Sequence, residues 1–376
     1  MVSQTELNRI QRIDGLKKKF YEHCGVVVTS EANRIWSRWI TQSLSLWTLI
    51  DEFIPEDGGD IPDLTQCLVE QMGIDQTYVQ TFVRSLTSFC NEQIERIQRQ
   101  TTQSESEEAG HLAVILPTNI PEIGTTTSMS DLFWEPVKGT ETPKCLISFR
   151  NWSHQVNFHI YQNLLKRYVK VDGKVDENKH DHQFDDALWK TLSNYRFLDG
   201  YGQQLSLPPE TYEILKELGC NSELFSSPLN CYLKDYFSLF KSDVCFGSRG
   251  NFFDANDQYY SQGIHLVHPP DYPTILTRTA EVLLNALESS DPVIFIYIMP
   301  RTDHEGFDLL INSDKLRAQI KLEEYQHYYH DRWHQRYVRS NHRTQILILS
   351  NQPLSEGWEL YRSRLITAMC QPNIDN

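Results

Sequence analysis

"GIHLVHPPDYPTILTRTAEVLLNALESSDPVIFIYIMP", residues 263–300, sets the architecture. An apolar run (Ile264, Leu266, Val267) stops at two prolines, an amphipathic stretch follows, and a second run, "VIFIYIM", ends at another proline. Runs of that length read as strands and the stretch between them as a helix, and strands that alternate with helices make an α/β sheet. Such sheets gather functional groups at the carboxyl ends of their strands. The turn "HPPD", His268–Asp271, is therefore a candidate site by position. It also fits an ordinary strand-to-loop turn, with Asp271 capping a helix that starts near Pro273.

The same grammar extends on both sides. "SELFSSPLN" (222–230) and "RTQILILSN" (343–351) are further short apolar runs closed by Pro, Asn or Ser, so residues 205–376 read as one α/β domain. Residues 1–100 read as a helical domain, because Ile10, Ile13, Leu16 and Phe20, then Trp36, Ile40, Leu44 and Trp47, recur at spacings of three or four. Residues 101–143 begin with "TTQSESEEAG", lose periodicity and read as a linker or mobile loop. Helical patterns resume over 144–204, broken by the polar "DGKVDENKHDHQ". This segment is expected to pack on the α/β domain. The tryptophans Trp36, Trp39 and Trp47 offer more apolar surface than a small bundle buries, so the helical region is expected to form one wall of a groove.

Composition narrows the function classes. With 50 acidic against 35 basic residues and a net charge of −15, the chain repels polyanions except where basic residues cluster. Eight cysteines without a CxxC pair suggest neither a zinc ribbon nor a disulfide framework, and read as reduced core thiols. The amino terminus has no apolar leader core, and "VIFIYIM" is too short to cross a bilayer, so a nuclear or cytoplasmic protein with no membrane partner is expected.

One local cluster runs against the acidic average. "HYYHDRWHQRYVRSNHR", residues 327–343, holds four histidines, four arginines and four aromatic residues. Arginines that hold phosphates and rings that stack on bases suit RNA, which makes Arg332, Arg336 and Arg339 candidate RNA contacts. The spacing of Tyr329, Trp333 and Tyr337 equally suits an amphipathic helix with its rings inward. No carboxylate or cysteine pattern accompanies the histidines, so no metal site is expected.

"ELFSSPLNCYLKDYFSLF", "CFGSRG", the HPPD turn and the spacing to "PVIFIYIMP" together resemble the phosphorylated-CTD-interacting factor family, the cap-specific adenosine N6-methyltransferases of messenger RNA. The resemblance runs from about Leu205 to Pro353. It implies a Rossmann-like methyltransferase domain preceded by a helical domain, S-adenosylmethionine as donor, and capped RNA as partner. The family's WW domain has no counterpart in this reading, so no WW-mediated binding to the polymerase tail is expected. Where the family reads Asn-Pro-Pro-Phe, this chain has His268, Pro269, Pro270 and Asp271 as the implied catalytic turn. The resemblance also implies Ser227, Pro228 and Asn230 as donor-site residues, while "FGSRG" offers Gly247 and Gly250 for close backbone approach, Gly247 as a further cofactor contact, and Arg249 as a phosphate or carboxylate partner. Read locally, Asn230 also fits a cap on a helix "CYLKDYFSLF". The fold expected is of the seven-stranded type, with Asn230 and His268 at one edge.

Three readings stay open at this point. The chain is an adenosine methyltransferase, a binding module that has lost transfer, or a methyltransferase whose acceptor differs because a histidine and a carboxylate replace an amide and a ring.

Overall fold

The computed structural model describes residues 4–23, 30–46, 54–55, 61–101, 113–115, 144–149, 152–168, 182–198, 204–300 and 304–372. Most of 101–143 and of the polar 172–183 stretch lies outside them; within the first, a short strand at Ala113–Ile115 stands where a linker or loop is expected. The chain divides into two compact units, Met1–Tyr201 with Phe240–Phe246, and Gly202–Leu239 with Gly247–Asn376.

The first unit is built on helices α1 (Gln4–His23), α2 (Ser30–Leu46), α3 (Ile61–Glu70) and α4 (Gln76–Thr101). Their apolar stripes close on one another, with Ile10, Ile13, Leu16, Phe20, Trp36 and Ile40 almost wholly buried. Phe20 packs on Trp36 at 5.4 Å and on Trp39 at 6.1 Å, and Trp36 donates its indole N–H to the Phe197 carbonyl at 2.6 Å. Trp36 and Trp39 thus find partners inside this unit, and their bulk does not require a second surface. Trp47 lies outside the described residues.

The 144–204 segment departs from the helical expectation. A short strand β1 (Ala113–Ile115) pairs with β2 (Lys144–Phe149), which forms an antiparallel hairpin with β3 (Trp152–Asn157). Only then do α5 (Phe158–Arg167) and α6 (His182–Leu198) follow. The run "KCLISFRNWSHQVN" alternates buried Cys145 and Ile147 with less buried neighbours, a period of two that short helical matches obscured. Residues 240–246 also belong to this unit: Asp243 accepts from the Tyr195 hydroxyl at 2.6 Å, and Phe246 packs against Phe184.

The second unit contains β4 (Leu205–Ser206), α7 (Pro209–Glu217), β5 (Cys220–Ser226), β6 (Asp235–Ser238), β7 (Gly263–Val267), α8 (Pro273–Ala286), β8 (Val293–Met299), α9 (Glu305–Ile311), β9 (Leu316–Leu322), β10 (Tyr328–Asp331), β11 (Arg336–Arg339), β12 (Thr344–Ser350) and α10 (Trp358–Cys370). Its main sheet has the order β6-β5-β7-β8-β12-β9, six strands among the described residues instead of the seven expected. From β6 to β8 all pairings are parallel, and β12 runs antiparallel to both of its neighbours. At the outer edge of β6 a single parallel bridge, Tyr236 to Ser248, stands where a further strand would lie. One face of the sheet packs Leu266, Ile296, Ile298 and Ile346 under α7 and α10; the other packs Val267, Phe295, Tyr297 and Leu347 under α8 and α9. Alternation of side chains along each strand produces the two layers.

Two local readings are corrected here. "CYLKDYFSLF" contains strand β6 and no helix, because Tyr236 and Phe237 alternate across a sheet and are buried on both of its faces. The 327–343 cluster is a hairpin of β10 and β11, joined to β4 in a separate three-stranded sheet, so the four-residue spacing of its rings is not helical.

At the α8–α9 approach, a methyl group on Gly306 would lie 2.6 Å from the Thr277 Cα and 2.7 Å from the Leu276 carbonyl oxygen, both backbone. Alanine gains roughly 1 kcal/mol over glycine within a helix. Overlap with unyielding backbone costs about 1–3 kcal/mol and outweighs it. Gly306→Ala is therefore expected to lower stability, read as a reduced denaturation midpoint with an unchanged slope.

Candidate functional site

The site is built at the carboxyl edge of the parallel strands. β5 and β7 are parallel neighbours, with Glu223 level with Leu266, and the chain enters β6 on one side of β5 and β7 on the other. The connections after β5 and β7 therefore diverge at that edge, the place where open α/β sheets bind ligands. "SSPLN" and "HPPD" are the two segments that leave it.

The first segment is a tight turn held by its own polar groups. Asn230 Oδ1 accepts from the Ser227 backbone N–H at 2.8 Å and lies 2.9 Å from Ser227 Oγ and 3.1 Å from Ser226 Oγ. The Asn230 and Cys231 amides return to the Ser227 carbonyl. Asn230 thus caps the turn, and its amide nitrogen makes no hydrogen bond to a described residue. Pro228 is buried in the turn. Ser227 Oγ also lies 2.8 Å from Gln204 Oε1 beside β4.

Beneath the turn sits a carboxylate that sequence reading passed over. Glu223, 3% exposed, accepts from the backbone N–H groups of Tyr232 and Leu233 at 2.6 and 2.7 Å, and from the hydroxyls of Tyr212 and Ser226 at 3.3 Å. Burial pushes its pKa above the ordinary carboxylate value, and the donated N–H bonds oppose that shift. A glutamate inside an apolar strand, "SELFS", was the available signal.

The second segment presents His268. Its imidazole stacks on Tyr329 of β10 with ring planes within 6° and centroids 5.6 Å apart. Its ring nitrogens have no hydrogen-bond partner among the described residues. Burial lowers its pKa to about 4, so the ring is neutral at physiological pH and one nitrogen is an acceptor. Pro269 is buried and Pro270 partly so, while Asp271 is exposed. Tyr272 is buried at the start of α8. The ring against His268 comes from β10.

β10 connects the two turns through consecutive residues. Tyr329 stacks on His268, and its hydroxyl lies 2.9 Å from Thr344 Oγ1, which is also 2.8 Å from His327 Nε2. His330 Nδ1 lies 3.0 Å from the Tyr232 hydroxyl, and Tyr232 stacks on Tyr212 at 4.3 Å. Arg332 lies 4.3 Å over the Tyr232 ring and donates to the Cys231 carbonyl. That guanidinium is engaged in holding the turn.

The other proposed cations are spread out. Arg336 and Arg339 are exposed on the edge strand β11, near Asp331 and bonded to the Tyr325 carbonyl respectively. Arg249 pairs with Asp235 at 2.8 Å and lies 5.3 Å over Tyr259. The parallel register beside β6 sets Ser248 level with Tyr236 and bonds the Ser238 amide to the Gly250 carbonyl. Gly247 thus falls toward the amino end of the strands, and Gly250 is the glycine at the carboxyl edge. Among the described residues no group of His, Cys, Asp and Glu could hold a metal ion, and no helix is long and apolar enough to cross a membrane.

Residues 159–332 match a family model described as "Phosphorylated CTD interacting factor 1 WW domain". The chain is similar to two mRNA (2'-O-methyladenosine-N(6)-)-methyltransferases. It is 27% identical to the mouse protein over 283 residues, 66% of this chain and 39% of the relative, and 29% identical to the human protein over 220 residues, 54% and 30%. The chain therefore matches about a third of the length of these relatives. The matched description names the WW domain, which overturns the expectation that the chain lacks any counterpart of it, together with the expectation of no WW-mediated binding.

Glu223→Ala leaves two buried N–H groups without an acceptor and is expected to cost about 3 kcal/mol in chemical denaturation. Glu223→Gln keeps the shape, and the two hydroxyls can turn to accept from the new amide. Because the folded pKa of Glu223 is raised, the folded state binds more protons above the unfolded value of 4.5, and stability falls as pH rises through that window. Glu223→Gln is expected to remove this part of the slope.

Proposed function

We propose that this protein transfers a methyl group from S-adenosylmethionine to the exocyclic amine of the adenosine next to an mRNA cap. The observation that carries the reading is the juxtaposition of the SSPLN and HPPD turns on adjacent parallel strands, tied together by Tyr329 and His330 of β10. Similarity to the two mRNA methyltransferases supports the reaction class. We read the sheet as Rossmann-like, with its switch point between β5 and β7.

Ser227, Pro228 and Asn230 would hold the donor. The fit rests on the Asn230 amide nitrogen, a donor left over at the β5 turn after Oδ1 has capped it, which suits the carboxylate of a methionine moiety. When bound, the donor supplies an electrophilic methyl group on a sulfonium. The neutral His268 imidazole accepts one proton of the adenine amine and so directs the nitrogen lone pair, as an amide oxygen does in the related turn. Pro269 and Pro270 fix the backbone, and Tyr329 fixes the imidazole plane. Arg336 and Arg339, exposed on β11, contact the RNA backbone; Arg332 ties the β5 turn, and Arg249, exposed, is paired with Asp235. Of the two glycines read for close approach, Gly247 and Gly250, the second takes that role.

The test is incubation with labelled S-adenosylmethionine and capped RNA starting with 2'-O-methyladenosine, scoring donor binding and N6-methyladenosine separately. Donor binding without product makes the protein a binding module; label on another group makes its acceptor different. His268→Asn with Asp271→Phe is expected to raise the rate, by up to about a hundredfold if the amide acceptor is worth roughly 3 kcal/mol. Exposure of Asp271 leaves room for the ring.

The pH profile gives a second check. With the His268 pKa lowered to about 4, its acceptor form persists through mildly acid solution. Activity of the wild type is expected to show no loss attributable to His268 near pH 6.5, and to fall only near pH 4.

A further inference from the structure

Arg278 of α8 is a cation that the fold leaves available. It stands in the second turn of the helix that leaves the HPPD turn, and its guanidinium lies 4.6 Å over the ring of Phe253. Glu281, three residues further along the same helix, and Asp254, beside Phe253 in the chain, are both exposed, yet among the described residues Arg278 makes no ion pair and no hydrogen bond. The helix dipole favours cations at the other end of a helix, so the charge brings α8 no gain at this position. Phe253 packs on Phe225 at 5.8 Å and on Phe252 at 5.3 Å, and Phe225 comes just before Ser226, where the SSPLN turn begins. The row Arg278–Phe253–Phe225 therefore joins the helix after one turn to the strand before the other, and all three side chains are partly exposed.

We infer that Arg278, held flat on Phe253, grips a backbone phosphate of the RNA strand that flanks the acceptor adenosine; this rests on the methyl-transfer reading above, and Arg278 is a positioning residue in it. Phosphate is the group that its chemistry selects. A guanidinium with its face on a ring keeps its edge N–H groups free, and that planar fork matches two phosphate oxygens. The ring also fixes the plane before binding, which lowers the ordering cost of the contact. In a chain of net charge −15, an unpaired cation beside the two turns is where a polyanion can approach them. Phe225 and Phe253 pack against the layer under α8 and α9, whereas Tyr329, the ring partner of His268, belongs to the layer under α7 and α10. The contact therefore falls on the flanking strand and not on the acceptor base.

The full chain and its Arg278→Gln variant are titrated by fluorescence anisotropy, over a series of salt concentrations, with a short capped RNA that starts with 2'-O-methyladenosine, and with the same RNA carrying a neutral methylphosphonate at one linkage at a time. Arg364→Gln on α10, which removes the same charge from a guanidinium already paired with Glu217, is the matched control. Expected for Arg278→Gln are about tenfold weaker RNA binding, a slope of log affinity on log salt shallower by about 0.7, unchanged affinity for S-adenosylmethionine, and a melting temperature within about 2 °C of wild type. One methylphosphonate should weaken the wild type to the same extent and weaken Arg278→Gln no further. Phe253→Leu, which keeps the charge and removes the ring face, should lose affinity while keeping the slope. An unchanged slope in Arg278→Gln, an equal fall in Arg364→Gln, or a loss in Arg278→Gln that adds to every methylphosphonate would overturn the inference, and so would wild type that binds no RNA. Loss of donor affinity in Arg278→Gln would assign the cation to the donor and overturn it too. RNA bound in the expected pattern with no N6-methyladenosine formed sinks the methyl-transfer reading and leaves the phosphate contact standing.

Discussion

The buried carboxylate of Glu223 is the constraint on which the carboxyl edge of the sheet depends. It takes two backbone N–H groups from the segment after the SSPLN turn and two hydroxyls, from α7 and from the end of β5. Without it, the chain leaving the turn would carry buried amides with no acceptor, and such groups are expensive enough to redirect a loop. Its position inside β5 gives it a rigid base. The turn is therefore placed relative to the strand by hydrogen bonds, and the Tyr212–Tyr232–Arg332 stack closes over the same spot.

From that base the structure reaches the second turn through β10. Neighbouring residues of a strand point to opposite faces, so Tyr329 and His330 touch different things: one the His268 ring, the other the Tyr232 hydroxyl. The small sheet β11-β10-β4 thereby holds the two turns in a fixed relation. A fixed relation matters for transfer, because a methyl group passes only between atoms held close and in line. The ring that orients the acceptor side chain arrives from another element.

Two residues run against local stability. His268 is held neutral by burial and leaves its nitrogens without partners among the described residues, and Tyr297, in the layer under α8 and α9, leaves a hydroxyl without a partner among the described residues. Around them Leu266, Val267, Phe295, Ile296 and Leu347 are buried as the hydrophobic pattern requires.

The sequence by itself determined the elements whose periodicity is long or sharply bounded. The run from Gly263 to Pro300 reads directly as strand, helix, strand, and the stripes from Ile10 to Phe20 and around Trp36 read as helices, because burial of one face imposes its period on the chain. It also determined that SSPLN and HPPD would terminate strands, since proline cannot donate to a ladder. It did not determine the β2–β3 hairpin or the β10–β11 hairpin, whose short runs match either period. Nor could it show that Tyr329, sixty-one residues after His268, would be its ring partner, or that Glu223 would find its four donors. Those depend on strand order: β5 lies beside β7, and β10 crosses to both turns, only once the sheet has formed. Pairing between distant segments is decided by which arrangement buries the apolar faces and satisfies the polar groups together, and only the tertiary structure settles that.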